Sequence, residues 1–154
     1  IKKKLDIPLT ETTEIDFSWL YRKLPATAPE TTVPTHDYMS IAIEFDNGQD
    51  ITWYWSHSLT TETFYKCPLP GWDKVETHIV VQSGQDGLGE WHDHRRNIYS
   101  DYSTSVGGEM PKKIVGVWFI GNSMFGRRGA DAEFANISIQ DGNTQINILQ
   151  RDAN

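Results

Sequence analysis

The segment Ser40-Ile41-Ala42-Ile43-Glu44-Phe45-Asp46-Asn47-Gly48-Gln49-Asp50-Ile51-Thr52-Trp53-Tyr54-Trp55-Ser56-His57 decides the fold. Two runs of β-branched and aromatic residues flank Asn47-Gly48, a dipeptide whose members both tolerate positive φ and so favour a tight hairpin. A two-residue loop there sets Glu44 opposite Ile51, Ala42 opposite Trp53, Ser40 opposite Trp55 and Tyr38 opposite His57. Cross-strand partners share a face of the sheet. One face then carries Tyr38, Ser40, Ala42, Glu44, Ile51, Trp53, Trp55 and His57, the other Met39, Ile41, Ile43, Phe45, Thr52 and Tyr54. The second set is a core face. The first is a platform, two indoles beside small residues with polar groups at both ends. A three-residue loop reassigns these faces, because a slip of one residue turns every side chain over. The alternative is that Trp53 and Trp55 fill the core between two sheets.

Strand signals continue outward from this hairpin. Ile15, Phe17, Trp19 and Tyr21 alternate with Asp16, Ser18, Leu20 and Arg22, a period of two with one aromatic face. His78, Val80 and Gln82 alternate with Ile79 and Val81. Lys113 to Asn122 is apolar on both faces, as in a central strand; Glu133 to Ile139 is a further strand and Gln145 to Leu149 a weaker one. Residues 25–37, rich in Pro and Thr, and residues 59–73, with Pro68, Pro70 and Gly71, are loops. Trp91, Ile98, Tyr102 and Val106 recur at helical spacing, and Gly107-Gly108 followed by Pro111 supplies a stop. One α-helix is therefore expected around residues 91–106. This pattern, in a chain of 154 residues, predicts a single all-β domain over 1–154: an antiparallel β-sandwich of jelly-roll-like form.

Composition bounds the function. With 21 acidic against 14 basic residues the formal charge is −7, which argues against a nucleic-acid partner because phosphate binding needs a basic stripe. No apolar run approaches the ~20 residues of a membrane helix. Cys67 is the single cysteine, so no intrachain disulfide forms. The chain starts Ile1-Lys2-Lys3-Lys4, with neither Met nor the apolar core of a signal peptide. It reads as a trimmed precursor or a module of a larger protein, and it lacks the N-terminal His of a copper brace. The fingerprints G-x-S-x-G, H-E-x-x-H and G-x-G-x-x-G are missing. Asp141-Gly142-Asn143 falls short of a calcium ligand set. On a helix, His92 and His94 would point apart. No metal and no cofactor are expected.

The aromatic content remains, with six each of Trp, Tyr and Phe. A sugar ring offers apolar C–H faces to flat rings and hydroxyl edges to polar groups. The first expectation is a carbohydrate-binding protein: Trp53 and Trp55 stack the glycan, with Tyr38, Glu44 and His57 at hand and Gln82 and Arg96 as further polar partners. A different class is a small carbohydrate-active enzyme such as a polysaccharide lyase. There His57 or His78 would be the base, Tyr38 the acid, and Gln82 or Arg96 would neutralise the uronate carboxylate. A third is a structural or interaction domain whose tryptophans are all core. The loop Gly121 to Gly129, with Arg127-Arg128, is either a solvated basic loop or a mobile cover over an anionic ligand.

The chain also resembles the bacterial domain of unknown function 3047 family, from about Leu5 to Ile139. The residues that carry the resemblance are Trp19 with Arg22, Leu24 and Pro25; Asp37-Tyr38 before the Ile41–Phe45 strand; and Tyr54-Trp55-Ser56. It continues through Val81, Ser83-Gly84, Leu88-Gly89, Trp91, Arg96-Asn97, Tyr99, Asp101-Tyr102 and Gly107 to the strand Ala132–Ile137. The resemblance implies a secreted or periplasmic bacterial β-sandwich and names no activity. Gly121 to Phe125 departs from it, standing where that family tends to have an Asp/Asn/Thr-rich loop. Similarity to jelly-roll carbohydrate-binding modules and lyases is at the level of fold.

Overall fold

The period-two alternation around Trp19 produces strand β2 (Glu14–Lys23), and Ile15, Phe17, Trp19 and Tyr21 are all buried on its inner face. A computed structural model describes residues 1–151; the last three residues of the expected 1–154 domain lie outside the described residues. The remaining strands are β1 (Lys2–Pro8), β3 (Tyr38–Phe45), β4 (Asp50–Ser56), β5 (Phe64–Lys66), β6 (Glu76–Ser83), β7 (Trp91–Asn97), β8 (Lys113–Asn122), β9 (Asp131–Asp141) and β10 (Thr144–Leu149). They form a six-stranded sheet, β1-β8-β3-β4-β6-β5, and a four-stranded sheet, β10-β9-β2-β7. Neighbours are antiparallel except β4 and β6. The result is the expected all-β sandwich, with one parallel pair that wholly antiparallel pairing does not contain. The sheets bury Ile15, Phe17, Trp19, Ile41, Ile43, Phe45, Trp53 and Trp55 between them. Among the described residues no helix is long and apolar enough to cross a membrane.

The hairpin forms where expected, one residue out of the two-residue register. Its loop is Asp46-Asn47-Gly48, closed by Phe45 N–H donating to Gln49 O (2.9 Å) and Gly48 N–H to Phe45 O (3.0 Å). Gly48 sits at φ 79°, the left-handed position that ends a three-residue hairpin loop. Ile41 therefore pairs with Trp53, Ala42 with Thr52 and Glu44 with Asp50. Trp53 and Trp55 turn inward, 0% and 1% exposed, and the expected aromatic platform does not exist. Thr52 and Tyr54, expected in the core, take the outer face beside Ser40 and Ala42.

The expected helix over 91–106 also divides. Residues 98–105 form α1 (Ile98–Ser105), capped by Asn97, whose side chain accepts from Ser100 N–H (2.8 Å). Residues 91–97 are instead the edge strand β7, paired with β2 so that Phe17 meets His94 and Ile15 meets Arg96. Its inner face is polar because His92, His94 and Arg96 find acceptors there (Gly87 O, Gln82 and Asp101).

The outer face of the six-stranded sheet carries a covering layer. Tyr38, Tyr54 and Val80 form a second buried cluster there, packed against Leu59, Tyr65 and Ile120. The loop 24–37 reaches onto this face through Glu30, whose buried carboxylate accepts from Ser56 Oγ (2.6 Å) and His57 N–H (2.6 Å). The long connection between β4 and β6 covers it from the other side, carrying β5 and a 3-10 turn at Trp72–Lys74.

Candidate functional site

Strand register builds the site. Glu44 on β3, Asp50 on β4 and Glu76 on β6 are direct neighbours across three strands, so their carboxyl groups form one row on the outer face. At one end Lys2 pairs with Glu44, reaching across Gly116, where a Cβ would stand 2.9 Å from the lysine Cε. Trp118 Nε1 donates to Glu44 Oε2 (2.8 Å), and the ammonium of Lys2 lies 4.7 Å from the Trp118 ring centroid. At the other end Glu76 is 4% exposed, and its Oε1 accepts from Tyr38 Oη (3.3 Å) and Thr52 Oγ1 (3.1 Å).

Above this row opens a cleft of about 550 Å³, lined by apolar Leu69, Trp72, Trp118, Ile120 and Met124 and by polar Tyr38, Asp50, Glu76 and Asn122. Trp72 is 53% exposed and Met124 71%. Few large apolar side chains of the chain face solvent so openly, and both line one concavity. One wall is pinned by Asn122, which donates to His36 O (2.8 Å), and by Asp37, whose carboxylate accepts from Phe125 and Gly126 N–H (3.1 and 2.6 Å). That tether holds the start of the 121–129 loop, expected as either a solvated basic loop or a mobile cover, against the body.

The carboxyls of the row differ in acidity. Burial, reinforced by Glu44 and Glu76, pushes Asp50 up to about 7. Burial also pushes Glu76 upward, but neighbouring His78 and the hydrogen bond from Thr52 outweigh it and hold that carboxyl below its ordinary value. Charge on this face therefore concentrates on Glu76 and Glu44, while Asp50 gains and loses its proton around neutrality.

Beneath the cleft floor lies a buried imidazole–thiol group. His36, Cys67 and His78 each place a ligand-type atom within 4.8 Å of the others. Nδ1 of His36 faces Glu30 O at 2.6 Å and its Nε2 stands 3.5 Å from Cys67 Sγ. Burial pushes the thiol up to about 12 and, with His78 beside it, the His36 imidazole down to about 4. Both groups are thus neutral, the opposite of an ion-paired nucleophile. No sequence spacing announced this grouping, since its members come from two loops and a strand.

The residues predicted for a site separate. Trp53 stacks on Phe17 (6.1 Å, 25°) and donates to Asp101 (2.8 Å) inside the sandwich. Trp55 Nε1 donates to Gly84 O (2.9 Å). Gln82 turns inward after a bulge in β6 and accepts from Trp19 Nε1 (2.8 Å). Arg96 is held by Asp101 and Glu62, so its guanidinium is already satisfied by protein carboxylates. These four expected ligand contacts are corrected. His57 lies in a separate concavity with Arg22, Leu24 and Arg128. Tyr38 and His78 do meet, with ring centroids 4.7 Å apart, while Glu44 stands next to Asp50 in the carboxyl row but outside the cleft lining; the two rings are buried, which removes them as solvent-facing acid and base. His92 and His94 share a face after all, but Nε2 of each is taken, by Gly87 O (2.8 Å) and Gln82 Oε1 (3.1 Å). Trp72, Trp118, Asp50 and Glu76 were missed. The available signal was Trp72, a tryptophan in a Pro- and Gly-rich turn with no core pattern around it.

A family model described as Protein of unknown function matches residues 1–138 of the chain. No curated protein and no solved structure matches it.

Proposed function

The chain belongs to the DUF3047 family, and on that premise we propose that it is a glycan-binding β-sandwich protein whose ligand occupies the cleft over Asp50 and Glu76. The observation that carries this reading is the combination of Trp72 and Trp118 with a row of carboxyls in one concavity of about 550 Å³. Indole faces suit the C–H face of a pyranose, while Asp50, Glu76 and Asn122 offer acceptors and donors to its hydroxyl edge. The acidic row disfavours uronates and selects neutral or amino sugars. Titration of intrinsic tryptophan emission with neutral, amino and acidic oligosaccharides tests the idea. Trp72→Ala should weaken binding about 10-fold, or ~1.4 kcal/mol, with little change in stability because the ring is half-exposed. If no neutral or amino glycan alters the emission, or if Trp72→Ala and Asp50→Ala both bind normally, the proposal fails.

One observation favours a second reading, that the cleft cleaves the glycan. Two adjacent carboxyls with acidities pushed apart are the recurring acid and base pair of glycoside hydrolysis, and Asp50, the one pushed up, would be the acid. Release of reducing ends by the wild type and none by Asp50→Asn would support it. Binding without release leaves the binding function alone.

A further inference from the structure

We propose that His36, Cys67 and His78 form a buried site for one thiophilic divalent transition-metal ion of the zinc type. The donor set is two imidazoles and a thiol, which suits zinc, cobalt or copper rather than the all-oxygen environment of calcium or magnesium. A tetrahedral ion with bonds of ~2.0 Å to nitrogen and ~2.3 Å to sulfur separates those two ligands by about 3.5 Å. Nε2 of His36 stands 3.5 Å from Sγ of Cys67. All three ligand atoms lie within 4.8 Å of one another, so movements of about an ångström complete the geometry.

Two further observations point to a ligand. His78 is 0% exposed, yet neither ring nitrogen has a partner in hydrogen-bond alignment, the 3.3 Å approach of Nε2 to Glu76 Oε1 included. A neutral imidazole carries one N–H and one lone-pair nitrogen, and leaving both unpaired in the interior is costly. Metal coordination satisfies the lone pair. Glu76, with Oε1 3.3 Å from His78 Nε2, is the carboxylate partner that metal-bound imidazoles ordinarily possess. His36 is already oriented in the same manner: a carbonyl can only accept, so Glu30 O at 2.6 Å fixes the proton on Nδ1 and leaves Nε2 as the donor atom facing the thiol.

The three ligands belong to separate segments. His36 ends the loop 24–37, Cys67 follows β5, and His78 lies on β6. Leu69 and Trp72 of the cleft wall follow Cys67 directly, and Asn122 of the opposite wall is bound to His36 O. The ion would act as a clasp that holds the covering layer on the sheet, whatever molecule the cleft takes.

The test uses the full chain, reduced, demetallated and titrated with Co²⁺ alone. One equivalent should bind with a thiolate-to-cobalt charge-transfer band and tetrahedral d–d bands, and Zn²⁺ should displace it. Outer-shell partners alone are worth about 10–100-fold in affinity, so Cys67→Ser should remove the charge-transfer band and lower affinity more than about 100-fold. His36→Gln should lower it comparably. Unfolding of either variant would show as loss of the buried tryptophan emission. In that case the wild-type band, together with metal protection of Cys67 from alkylation, decides. Cobalt binding without a sulfur band, unchanged affinity in Cys67→Ser, or no binding to the wild type at micromolar Co²⁺ each overturns the proposal. No glycan enters the experiment, so its outcome is separate from that of the cleft.

Discussion

Trp53→Phe separates a core tryptophan from a ligand platform by magnitude. The indole is 0% exposed, stacks on Phe17 and donates to Asp101 Oδ2 at 2.8 Å. The substitution deletes the ring N–H and two ring carbons and keeps an aromatic ring in the slot. At about 0.8 kcal/mol per buried carbon the apolar loss is roughly 1.6 kcal/mol. A hydrogen bond to a charged group adds about 1.5–3 kcal/mol; the lower half applies, because Asp101 keeps both of its contacts to Arg96. The sum is about 3–4 kcal/mol. For a domain of this length each kcal/mol moves the midpoint by ~2–4 °C, so melting should fall by about 6–15 °C. Equilibrium urea unfolding should show a lower midpoint with an unchanged slope, and the glycan binding proposed for the cleft should be unchanged at 20 °C. A loss below about 1 kcal/mol, or an affinity that falls with stability intact, would refute the placement of Trp53 between the sheets.

Four further outcomes follow from other residues. Arg96→Met should cost about 3–5 kcal/mol in urea unfolding, because it strands Asp101, a carboxylate only 14% exposed. Glu62→Ala should cost under about 1 kcal/mol, since that partner of the same guanidinium is 64% exposed. His94 is held at about 4, chiefly by burial and then by His92 and Arg96, while the unfolded imidazole takes a proton near 6.5. Its stabilising neutrality is therefore complete above about 6.5 and lost as pH falls toward 4, at most about 3 kcal/mol. Urea midpoints against pH should fall in that window and flatten in His94→Gln. Asp50 has the opposite sign. With its carboxyl raised from 3.8 to about 7, the folded state favours the protonated form, and that stability is full below 3.8 and lost as pH rises through 7. Asp50→Asn should thus raise stability at pH 8 by roughly 1–3 kcal/mol after screening, measured by thermal melting, while weakening the glycan binding proposed for the cleft.

Much of the sandwich was legible locally. The Ile15–Tyr21 alternation gave a strand and its buried face, and Asp46 to Gln49 gave a turn. What the turn could not give was its length. Asn47-Gly48 suits a two-residue loop, yet Gly48 also suits the closing left-handed position of a three-residue one, and the core decided by drawing Ile41, Ile43, Trp53 and Trp55 to one side. That single residue moved the aromatic pair inward and brought Glu44 beside Asp50. Strand β7 was illegible for another reason. Its inward residues are His92, His94 and Arg96, which satisfy themselves by hydrogen bonds, so no apolar period marks a strand, and Trp91 shares a helical spacing with Ile98. The cleft and the imidazole–thiol group lay beyond local reading altogether: Trp72, Trp118, His36 and Cys67 come together only through loops laid over the sheet.

The layer built from those loops has a thermodynamic consequence of its own. Its apolar nucleus is Tyr38, Tyr54 and Val80 with three partly buried neighbours, far smaller than the aromatic core between the sheets, and apart from the three-residue edge strand β5 its outer segments are loops. Amide hydrogens of residues 24–37 and 57–75 should then exchange through a partial opening that leaves the sandwich intact. A molecule bound in the cleft would slow exchange there without shifting the slowest amides of β2 and β4. Occupancy would be recorded in a local protection factor before it appears in any global melt.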